Sequence, residues 1–380
     1  MLKPKYDVVI LGGGPAGLAA AIAIRASINA SVLVVDKQAP GEERVGESCP
    51  PEIVLLLKKL GVAKEFYRAG HETCPGYASV WGRADKGYND FIVNPMGPSW
   101  RLNRTEFDAM LANKAEESGA QLEWSTCFLG TQESNEKESS HTLFLAQADN
   151  PVTEKIQAGF VIDASGFQAR FARTMNINKV VDDKLIATVR FAKVSEGRGS
   201  KQIQIEAIEK GWCYHALLPN QKVVSMIVAE KESARALREN GYQGFEGALS
   251  ATSFISTCTA KLSLEEPSYH TYPIHSGILP KLEGHNWMAI GDAASSFDPI
   301  SAQGIYKGLS HGLLAETKVT AWFENNKSEL SDYSDQIKQQ YKIYQRNRAH
   351  VYGLERRWDD SDFWSKRVTP FHSEEAPLKI

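Results

Sequence analysis

The feature that most constrains this chain is a glycine-rich turn between two apolar runs close to its N-terminus. The first run, 8–11, leads into Gly12, Gly14 and Gly17 in G-x-G-x-x-G spacing. An Ala-rich stretch of helical character follows, and the second apolar run ends in Asp36. A strand, a tight turn, a helix, a second strand and an acidic residue in this order predict a dinucleotide-binding unit.

Each part of this unit has a physical role in binding a dinucleotide. The turn brings the backbone close to a pyrophosphate, which the free N–H groups and the positive dipole end of the following helix stabilise. Asp36 is placed to accept hydrogen bonds from the adenosine ribose, although a carboxylate at a strand end can also simply face water. The residues predicted to bind the dinucleotide here are Gly12, Gly14, Pro15, Ala16, Gly17, Asp36 and Lys37.

The composition argues against several classes of protein. A net charge of −3 over 380 residues gives no electrostatic reason to expect a nucleic acid or an anionic membrane as partner. The longest apolar stretches fall far short of the about 20 residues that a membrane-spanning helix needs. Five scattered cysteines without C-x-x-C spacing predict a reducing, cytoplasmic location, with neither a disulfide framework nor a metal site.

The periodicity of the remaining chain predicts three kinds of structure in succession. Helices are expected near 51–60 and 105–118, with a strand pair between them at 78–91. Alternation of apolar and polar residues over 185–230 predicts an antiparallel sheet. The last part of the chain is expected to be mainly helical, with helices at 232–249, 304–325 and 331–364.

A second motif indicates which dinucleotide is bound. A short apolar run is followed by Gly291 and Asp292, then by Asp298-Pro299, and finally by Gly304 at the start of a helix. This segment resembles the second FAD motif of the glutathione-reductase-type flavoproteins, in particular that of the FAD-dependent monooxygenase and flavin-dependent halogenase superfamily. The resemblance implies FAD as the cofactor, with Gly291 in a turn against it.

In that superfamily the second motif surrounds the flavin half of the cofactor. The resemblance implies that Asp292 binds the ribityl chain, and that Asp298 and Pro299 lie beside the flavin ring. It also implies that the backbone N–H groups of Gly304 and Ile305 point to the N1/O2 edge of the ring. A helix N-terminus at that edge would stabilise the negative charge of reduced flavin.

Three further segments resemble motifs of the same superfamily. Asp163 and Gly166, in Val-Ile-Asp-Ala-Ser-Gly, match its middle fingerprint but depart from the commoner Asp-Gly form. Arg104 matches the arginine of a strand-to-helix motif that contacts FAD, with a surface ion pair as the alternative. The run from Arg44 to Ser48, Arg-Val-Gly-Glu-Ser, resembles the segment beside the flavin in halogenase-like members. The resemblance implies that both ends of this run contact the cofactor.

The expected fold class is α/β, with a Rossmann-like FAD-binding domain interrupted by an antiparallel-sheet substrate domain and followed by a C-terminal helical segment. Only one nucleotide-binding unit is visible, so electrons would come from transient contact with NADPH or from a separate flavin reductase. The predicted boundaries are 1–77, 99–175 and 284–326 for the FAD-binding domain, 78–98 and 176–283 for the substrate domain, and 327–380 for the helical segment.

Within the superfamily, the chain is most similar to the LodB/GoxB-type flavoproteins, which serve the biogenesis of tryptophylquinone cofactors. This similarity rests on the run 44–48, on Ser79–Gly82 and on the Asp-Ala-Ser-Gly variant. It implies an FAD-dependent monooxygenase that hydroxylates a tryptophan side chain in the precursor of a quinoprotein oxidase. An aromatic small molecule is the alternative substrate. The candidates for catalysis are Glu47, His215, Asp298 and Pro299.

Other functions are consistent with an FAD fold. A flavin-dependent halogenase would carry a Trp-x-Trp-x-Ile-Pro motif and a lysine that handles hypohalous acid. The segment 211–219 lacks the second tryptophan, and the nearest lysine, Lys86, falls in a polar turn. A reductase related to the prenyl reductases and a non-catalytic, flavin-bearing assembly factor are also open. His215 is equally consistent with a structural histidine, and the aromatic and basic residues of 341–364 with helix packing or with a partner-docking face.

Overall fold

The computed structural model describes residues 2–41, 44–91, 94–132, 140–147, 150–324 and 332–367. Parts of two predicted domains, 325–331 and 368–380, lie outside these residues, and the domain boundaries stay a prediction. Across the described ranges, no helix is both long enough and apolar enough to cross a membrane.

Strands and helices alternate in the first half of the chain, and strands dominate its middle. In chain order the strands are β1 (Lys5–Leu11), β2 (Val32–Val35), β3 (Ser48–Cys49), β4 (Glu72–Cys74), β5 (Gly76–Val80), β6 (Gly87–Asp90), β7 (Ser99–Arg101), β8 (Gln121–Glu123), β9 (Thr126–Thr131), β10 (His141–Gln147), β11 (Asn150–Asp163), β12 (Val180–Asp183), β13 (Ile186–Gly197), β14 (Ile203–Ile208), β15 (Gly211–Leu218), β16 (Lys222–Ala229), β17 (Leu262–Pro273), β18 (Ser276–Ile278), β19 (Trp287–Ala289) and β20 (Ser295–Ser296). The helices are α1 (Pro15–Ser27), α2 (Ile53–Lys59), α3 (Ala63–Arg68), α4 (Arg104–Glu117), α5 (Arg170–Thr174), α6 (Lys231–Leu237), α7 (Glu239–Ser250), α8 (Ile255–Thr259), α9 (Gly291–Ala294), α10 (Gly304–Phe323), α11 (Tyr333–Gly353) and α12 (Asp362–Ser365).

The first sheet has seven strands and carries the glycine turns at one edge. Its order is β8-β2-β1-β11-β10-β9, with β19 pairing the end of β11. The strands β8, β2, β1, β11 and β19 run parallel, while β10 and β9 are antiparallel. The turns that follow β1 and β19 therefore meet at the carboxyl edge of the parallel strands, where α/β sheets bind ligands.

Helices α1 and α10 pack closely on one another over this sheet. A Cβ at Gly312 would lie 2.6 Å from the Ala16 carbonyl oxygen and 2.6 Å from the Ala19 Cβ. The contact is therefore built from residues without side chains beyond Cβ, which lets the two helix axes approach. As a result, the N-termini of both helices point to the same sheet edge.

The second sheet also has seven strands, in the order β17-β13-β16-β15-β14-β5-β6. Its pairs are antiparallel except for β14 and β5. One face packs on α11 and α12 through Trp212, Tyr352 and Trp364, and the other packs on α7 through Cys213 and Phe245. The predicted antiparallel sheet is thus confirmed, and its two faces have different partners.

Two three-stranded sheets, β3-β7-β4 and β12-β18-β20, complete the described fold. The single helix predicted at 232–249 is divided into α6 and α7, and α7 is itself kinked near its start, where Asn240 and Tyr242 adopt left-handed backbone angles with φ of 52° and 68°. The long helix predicted at 331–364 ends at Gly353, and α12 follows after a break. The α/β fold class with C-terminal helices is confirmed.

Candidate functional site

The first glycine turn, between β1 and α1, is tight where it touches protein and open where a ligand would lie. Gly12 has a φ of +120°, and a Cβ there would lie 2.2 Å from the Ala164 carbonyl oxygen. A Cβ at Gly17 would lie 1.9 Å from the Gly12 carbonyl oxygen. A Cβ at Gly14 would meet no described atom within 4 Å. The turn therefore needs glycine for its own packing and presents the start of α1 to open space.

Asp36 follows β2 and lies beside the same turn. Its Oδ2 accepts a hydrogen bond of 2.7 Å from the Gly13 N–H, and its Oδ1 accepts one of 2.9 Å from the Gln38 N–H. Because a carboxylate has about four acceptor positions, both oxygens can still accept a ribose hydroxyl. Lys37 is exposed next to it. The structure places Asp36 at the edge of the open space, and its contact with a ribose stays a prediction.

The second turn follows β19 and lies directly against the first. Gly291 has a φ of +56°, and a Cβ there would lie 2.8 Å from the Ala16 Cβ. Ala16 belongs to the first turn of α1, which Pro15 opens. The next residue, Asp292, has a side chain that is 49% exposed. The carboxylate of Asp292 therefore faces the space that the two turns share.

A buried lysine that the sequence analysis did not identify holds Asp292. The Lys307 ammonium lies 2.7 Å from Asp292 Oδ1 and also donates to the Ser295 carbonyl oxygen, while Lys179 donates to the Asp292 carbonyl oxygen. Burial opposes the charge of Asp292, but the two ammonium groups hold its pKa below the usual value. Burial, with the Lys307 charge nearby, lowers the pKa of Lys179 to about 8. Nothing in the spacing of Asp292 and Lys307 in the sequence indicates this ion pair.

His311, one helical turn further along α10, positions the same backbone. Its Nδ1 accepts a hydrogen bond of 3.1 Å from the Gly291 N–H. Its Nε2 therefore carries the proton and donates to Gln340 Oε1 at 3.1 Å. Burial lowers the pKa of His311 to about 3, so the ring is neutral around pH 7. This link between the second turn and α11 was also missed, since nothing in the spacing of Gly291 and His311 indicates it.

The N-terminus of α10 forms a third side of the open space. A Cβ at Gly304 would meet no described atom within 4 Å, and Ile305 is 8% exposed. A Cβ at Gly46 would lie 3.9 Å from the Ile305 Cδ1, so the run 44–48 reaches this helix end. The twenty residues of α10 direct the positive end of a long helix dipole to this point.

The run that begins at Arg44 is held in place by α4. Arg104 lies 2.9 Å from Asp108 and donates to the carbonyl oxygens of Val45 and Gly46. Arg44 Nη1 lies 4.0 Å from the same carboxylate. The donors of Arg104 are therefore used within the protein, so the geometry makes it a residue that positions this run. Direct contact between Arg104 and FAD stays a prediction.

Glu47 and two tyrosines form a buried polar cluster between this run and the second sheet. Burial raises the pKa of Glu47, whose Oε2 accepts a 2.8 Å hydrogen bond from the Gly46 N–H. Burial, followed by the charge of the neighbouring Glu47, raises the pKa of Tyr214. Ser48 Oγ lies 3.2 Å from the Tyr77 hydroxyl. Glu47 was predicted from the sequence as a catalytic residue and Ser48 as a cofactor contact, whereas the two tyrosines were not among the predicted residues.

His215, a predicted catalytic residue, lies on the face of the second sheet that packs on α7, opposite the face that carries Tyr214. Side chains of a strand alternate between its two faces, so His215 and its neighbour Tyr214 point in opposite directions. The His215 Nδ1 lies 2.9 Å from Ser225 Oγ, on the side of the sheet that Arg190 and α7 cover. Burial and the nearby Arg190 charge lower its pKa to about 4. The geometry therefore favours the structural alternative for His215, and its catalytic role stays a prediction.

Asp163, predicted to contact the cofactor, is instead used entirely by the protein. It is 0% exposed, and its carboxylate accepts hydrogen bonds from Ser165 and from the N–H groups of Phe171 and Ala172. These bonds stabilise the start of α5. Gly166 does face open space, because a Cβ there would meet no described atom within 4 Å. The fingerprint therefore shapes the site through its glycine, while its carboxylate is structural.

Asp298, another predicted catalytic residue, is equally inaccessible. It is 0% exposed, and its carboxylate accepts hydrogen bonds from Arg348 at 3.2 Å, Tyr352 at 2.7 Å and the Ile300 N–H at 3.0 Å. A carboxylate enclosed in this way is used within the protein, so the geometry favours a positioning role for Asp298, and its catalytic role stays a prediction. Pro299, the next residue, is partly exposed, and its place beside the flavin ring stays a prediction.

The described residues fit the dinucleotide that the sequence indicated. The first and second turns pack on each other, Gly14, Gly166 and Gly304 each leave open space where a Cβ would lie, and Asp36 lies beside the first turn while the half-exposed Asp292 lies on the second. Two helix N-termini suit the pyrophosphate and the electron-rich flavin edge, and the two carboxylates suit the ribose and ribityl hydroxyls. In the described ranges no cluster of three or more His, Cys, Asp or Glu side chains could hold a metal ion.

Sequence comparisons agree with this geometry. The chain matches the FAD binding domain family over residues 5–342. It is 25% identical over 365 residues to LodB, an FAD-dependent oxidoreductase of Marinomonas mediterranea, and the match covers 95% of this chain and 96% of LodB. It is 24% identical over 355 residues to a flavin-dependent halogenase of Armillaria mellea, covering 85% of this chain and 69% of the halogenase.

Solved structures of flavoenzymes share the fold. The flavin-dependent halogenase CmlS superimposes with a TM-score of 0.84 at 20% identity, covering 97% of this chain and 68% of CmlS. QhpG, a peptidyl tryptophan dihydroxylase essential for tryptophylquinone cofactor biogenesis, superimposes with a TM-score of 0.78 at 20% identity, covering 97% of this chain and 80% of QhpG. The predicted cofactor, FAD, is confirmed. The chain belongs to the FAD binding domain family, within the flavin monooxygenase and halogenase superfamily, and is an FAD-dependent oxidoreductase.

Proposed function

We propose that this oxidoreductase is a monooxygenase that hydroxylates a tryptophan side chain of a partner polypeptide, the precursor of a quinoprotein oxidase. The observation that carries the proposal is the match with LodB, which extends over 95% of this chain and 96% of LodB. The halogenase of Armillaria mellea is longer than the matched region, which covers 69% of it. QhpG, which shares the fold, is described as acting on peptidyl tryptophan.

The surface between the two sheets suits a flat aromatic ring. Val45, Tyr77 and Ile300 are partly buried and pack on the same apolar cluster as Tyr214. Apolar walls exclude water and orient a ring, while bound FAD, once reduced, supplies the activation of O2 for transfer of one oxygen atom. Pro299, immediately before Ile300, would border the same space.

Glu47 is the residue that we propose for proton transfer. Hydroxylation of an aromatic carbon releases a proton from that carbon, and a nearby base must accept it. The Glu47 carboxylate is 6% exposed, and its burial raises its pKa, which makes it a better proton acceptor than an ordinary carboxylate. Glu47→Gln would therefore slow product formation while FAD remains bound.

The proposal also includes the electron donor and the location of the protein in the cell. We propose NADPH in direct contact, or a separate flavin reductase, as the electron source. The five cysteines, all within the described ranges, are free. Free thiols, three of them buried and two partly buried, fit the reducing environment of the cytoplasm.

The test uses FAD-loaded protein, NADPH with and without an added flavin reductase, O2, and a synthetic peptide of the partner precursor that contains its tryptophan. Mass spectrometry should show a gain of one or more oxygen atoms on the tryptophan. A peptide with phenylalanine in that place is the matched control and should stay unmodified. No gain under full reduction and O2 would contradict the proposal.

Other outcomes would assign a different function within the family. A halide-dependent product mass would indicate a halogenase, although Lys86 lies in an exposed turn with its ammonium 4.4 Å from the centre of the Phe254 ring. Oxygenation of free aromatic compounds but not of the peptide would indicate a small-molecule hydroxylase. Turnover without O2 would indicate a reductase of the prenyl-reductase kind. Partner maturation by an FAD-free variant would indicate an assembly factor.

A further inference from the structure

Three side chains on one face of α11 converge on the turn that precedes α10. Tyr344, Arg348 and Tyr352 are spaced four residues apart, which places them in one stripe of a helix. The Tyr344 hydroxyl accepts a hydrogen bond of 2.8 Å from the Asp298 N–H. The Arg348 Nε and the Tyr352 hydroxyl donate to Asp298 Oδ2 at 3.2 and 2.7 Å. A single residue of the turn is thus bound through its backbone and its carboxylate by one helix.

The same stripe also reaches the second sheet. The Trp212 indole N–H, on β15, donates to the Tyr352 hydroxyl at 2.9 Å. Since that hydroxyl donates to Asp298, the Tyr352 phenol links the second sheet to the turn that precedes α10. In the same sheet β5 lies two strands away from β15, and the indole of Trp81, directly after β5, donates to the Val351 carbonyl oxygen at 2.8 Å. Helix α11 therefore fixes the position of the sheet relative to the turn.

Arg348 is the counter-ion of the enclosed carboxylate. Burial opposes its charge, but Asp298 and other neighbours raise the pKa of its guanidinium above the usual value. Arg348 also bonds Asp183 on β12, and Arg367 binds the same carboxylate at 2.6 and 2.7 Å. Without Arg348, Asp298 would carry an uncompensated negative charge in a buried place.

We propose that the stripe Tyr344, Arg348 and Tyr352 positions the flavin-facing turn and neutralises its charge, acting through Asp298. These are positioning residues, because none of them needs to touch substrate. The turn ends where Gly304 faces open space, so its charge and position act on the flavin edge that we place there. The proposal therefore rests on FAD binding and on this placement of the ring, and not on which substrate is oxidised.

The first test compares two substitutions that each remove one phenol–carboxylate hydrogen bond from α11. Tyr352→Phe removes the bond to Asp298 together with the bond that its hydroxyl accepts from Trp212, whereas Tyr341→Phe removes a bond of 2.7 Å to Asp182, away from the turn. We expect Tyr352→Phe to lower FAD affinity by about five- to tenfold, the factor expected for one buried hydrogen bond, and to change the visible circular dichroism of bound FAD. Tyr341→Phe should change neither. Equal effects of the two variants would overturn the positioning role.

The second test measures the midpoint potential of bound FAD, which a purely structural role would not shift in a charge-dependent way. Arg348→Met leaves the Asp298 charge uncompensated, so the potential should become more negative, because reduced flavin is itself negatively charged. The double variant Arg348→Met with Asp298→Asn should recover the potential, and Arg348→Lys should retain it. An unchanged potential in Arg348→Met, measured on FAD-loaded protein, would overturn the electrostatic part of the proposal.

If Arg348→Met does not fold, Tyr352→Phe still decides the positioning part. Asp298→Asn then decides the electrostatic part, because it leaves the Arg348 charge without this partner and should make the potential less negative, and an unchanged potential would overturn that part. Neither test needs a substrate. A failure to hydroxylate a tryptophan peptide would therefore leave this proposal intact, and an unshifted potential would leave the proposed reaction intact.

Discussion

The two turns that border the open space differ in where their support comes from. Most support of the first turn comes from one continuous stretch, in which Gly17 packs on Gly12 and Asp36 binds Gly13, and the Ala164 backbone adds one distant contact. The second turn is supported from a distant segment, because His311 binds Gly291, and the turn at Asp298 that follows it is bound by the stripe of α11. Local support makes the first turn recognisable from sequence, whereas the second depends on how α10 and α11 pack.

The largest expected effect tests the local support of the first turn. In Gly17→Ala the new Cβ would lie 1.9 Å from the Gly12 carbonyl oxygen, a backbone atom that cannot move aside. We expect the free energy of unfolding of the FAD-free protein to fall by on the order of 3 kcal/mol, together with loss of FAD binding. Denaturant unfolding and FAD titration measure both quantities.

Gly14→Ala is the matched control for that substitution. Gly14 has a φ of −81° that alanine also adopts, and its Cβ would meet no described atom. The FAD-free protein should therefore keep its stability, while FAD binding weakens because the Cβ occupies the space of the pyrophosphate. If Gly14→Ala destabilised the FAD-free protein as much as Gly17→Ala, the distinction between packing and binding glycines would be wrong.

The next effect tests the contact that joins the two turns. In Gly312→Ala the Cβ would lie 2.6 Å from the Ala16 carbonyl oxygen, which should separate α10 from α1 at a cost of about 1–3 kcal/mol in the free energy of unfolding. Gly353→Ala, at the end of α11, is the control, because its Cβ would meet nothing within 4 Å. Thermal unfolding of both variants measures the difference. A Gly312→Ala variant as stable as the control would show that the helices can separate freely.

A smaller effect concerns the half-exposed carboxylate of the second turn. Asp292→Asn removes the charge that Lys307 compensates and weakens a hydrogen-bond acceptor for the ribityl chain. We expect FAD affinity to fall about tenfold, which corresponds to about 1.4 kcal/mol. Asp335→Asn, on an aspartate that is 87% exposed, should leave the affinity unchanged. Fluorescence titration of FAD compares the two variants, and similar affinities would argue against a ribityl contact.

The smallest expected effect compares two neutral histidines, His311 at the second turn and His215 on the far face of the second sheet. Burial lowers their pKa values to about 3 and about 4, so the folded protein binds fewer protons than the unfolded chain below pH ~6.5. Stability is therefore present above that pH and falls as the pH drops. Each histidine should remove about 1 kcal/mol between pH 6.5 and 5.5.

Urea unfolding at these two pH values measures the loss. His215→Gln should reduce it by about 1 kcal/mol, the share of one histidine, while His311 and His71, whose pKa burial also lowers to about 4, continue to titrate. At the same time it should leave FAD affinity unchanged, since His215 faces away from the cleft. An unchanged pH dependence in His215→Gln would mean that other groups dominate the acid response.

How much of the site could be predicted depended on how local its signals are. Gly12, Gly14, Gly17 and Asp36 form a contiguous pattern whose backbone geometry follows from residue type, so their placement could be predicted. Lys307 and His311 could not, because a buried cation or imidazole is recognisable only once its partners are known. The strand predicted around His215 is correct, but the sequence alone did not settle whether His215 or Tyr214 lies on the face towards Glu47.

By itself the sequence determined the dinucleotide-binding unit, the second glycine turn and the antiparallel sheet, because glycine spacing and two-residue alternation act over a few residues at a time. Tertiary structure alone decided the roles of the carboxylates. Asp163 and Asp298 are enclosed by donors that come from other elements, while Asp292 stays half exposed. The physical reason is that a carboxylate binds a ligand only with the acceptor capacity that the folded protein leaves unused.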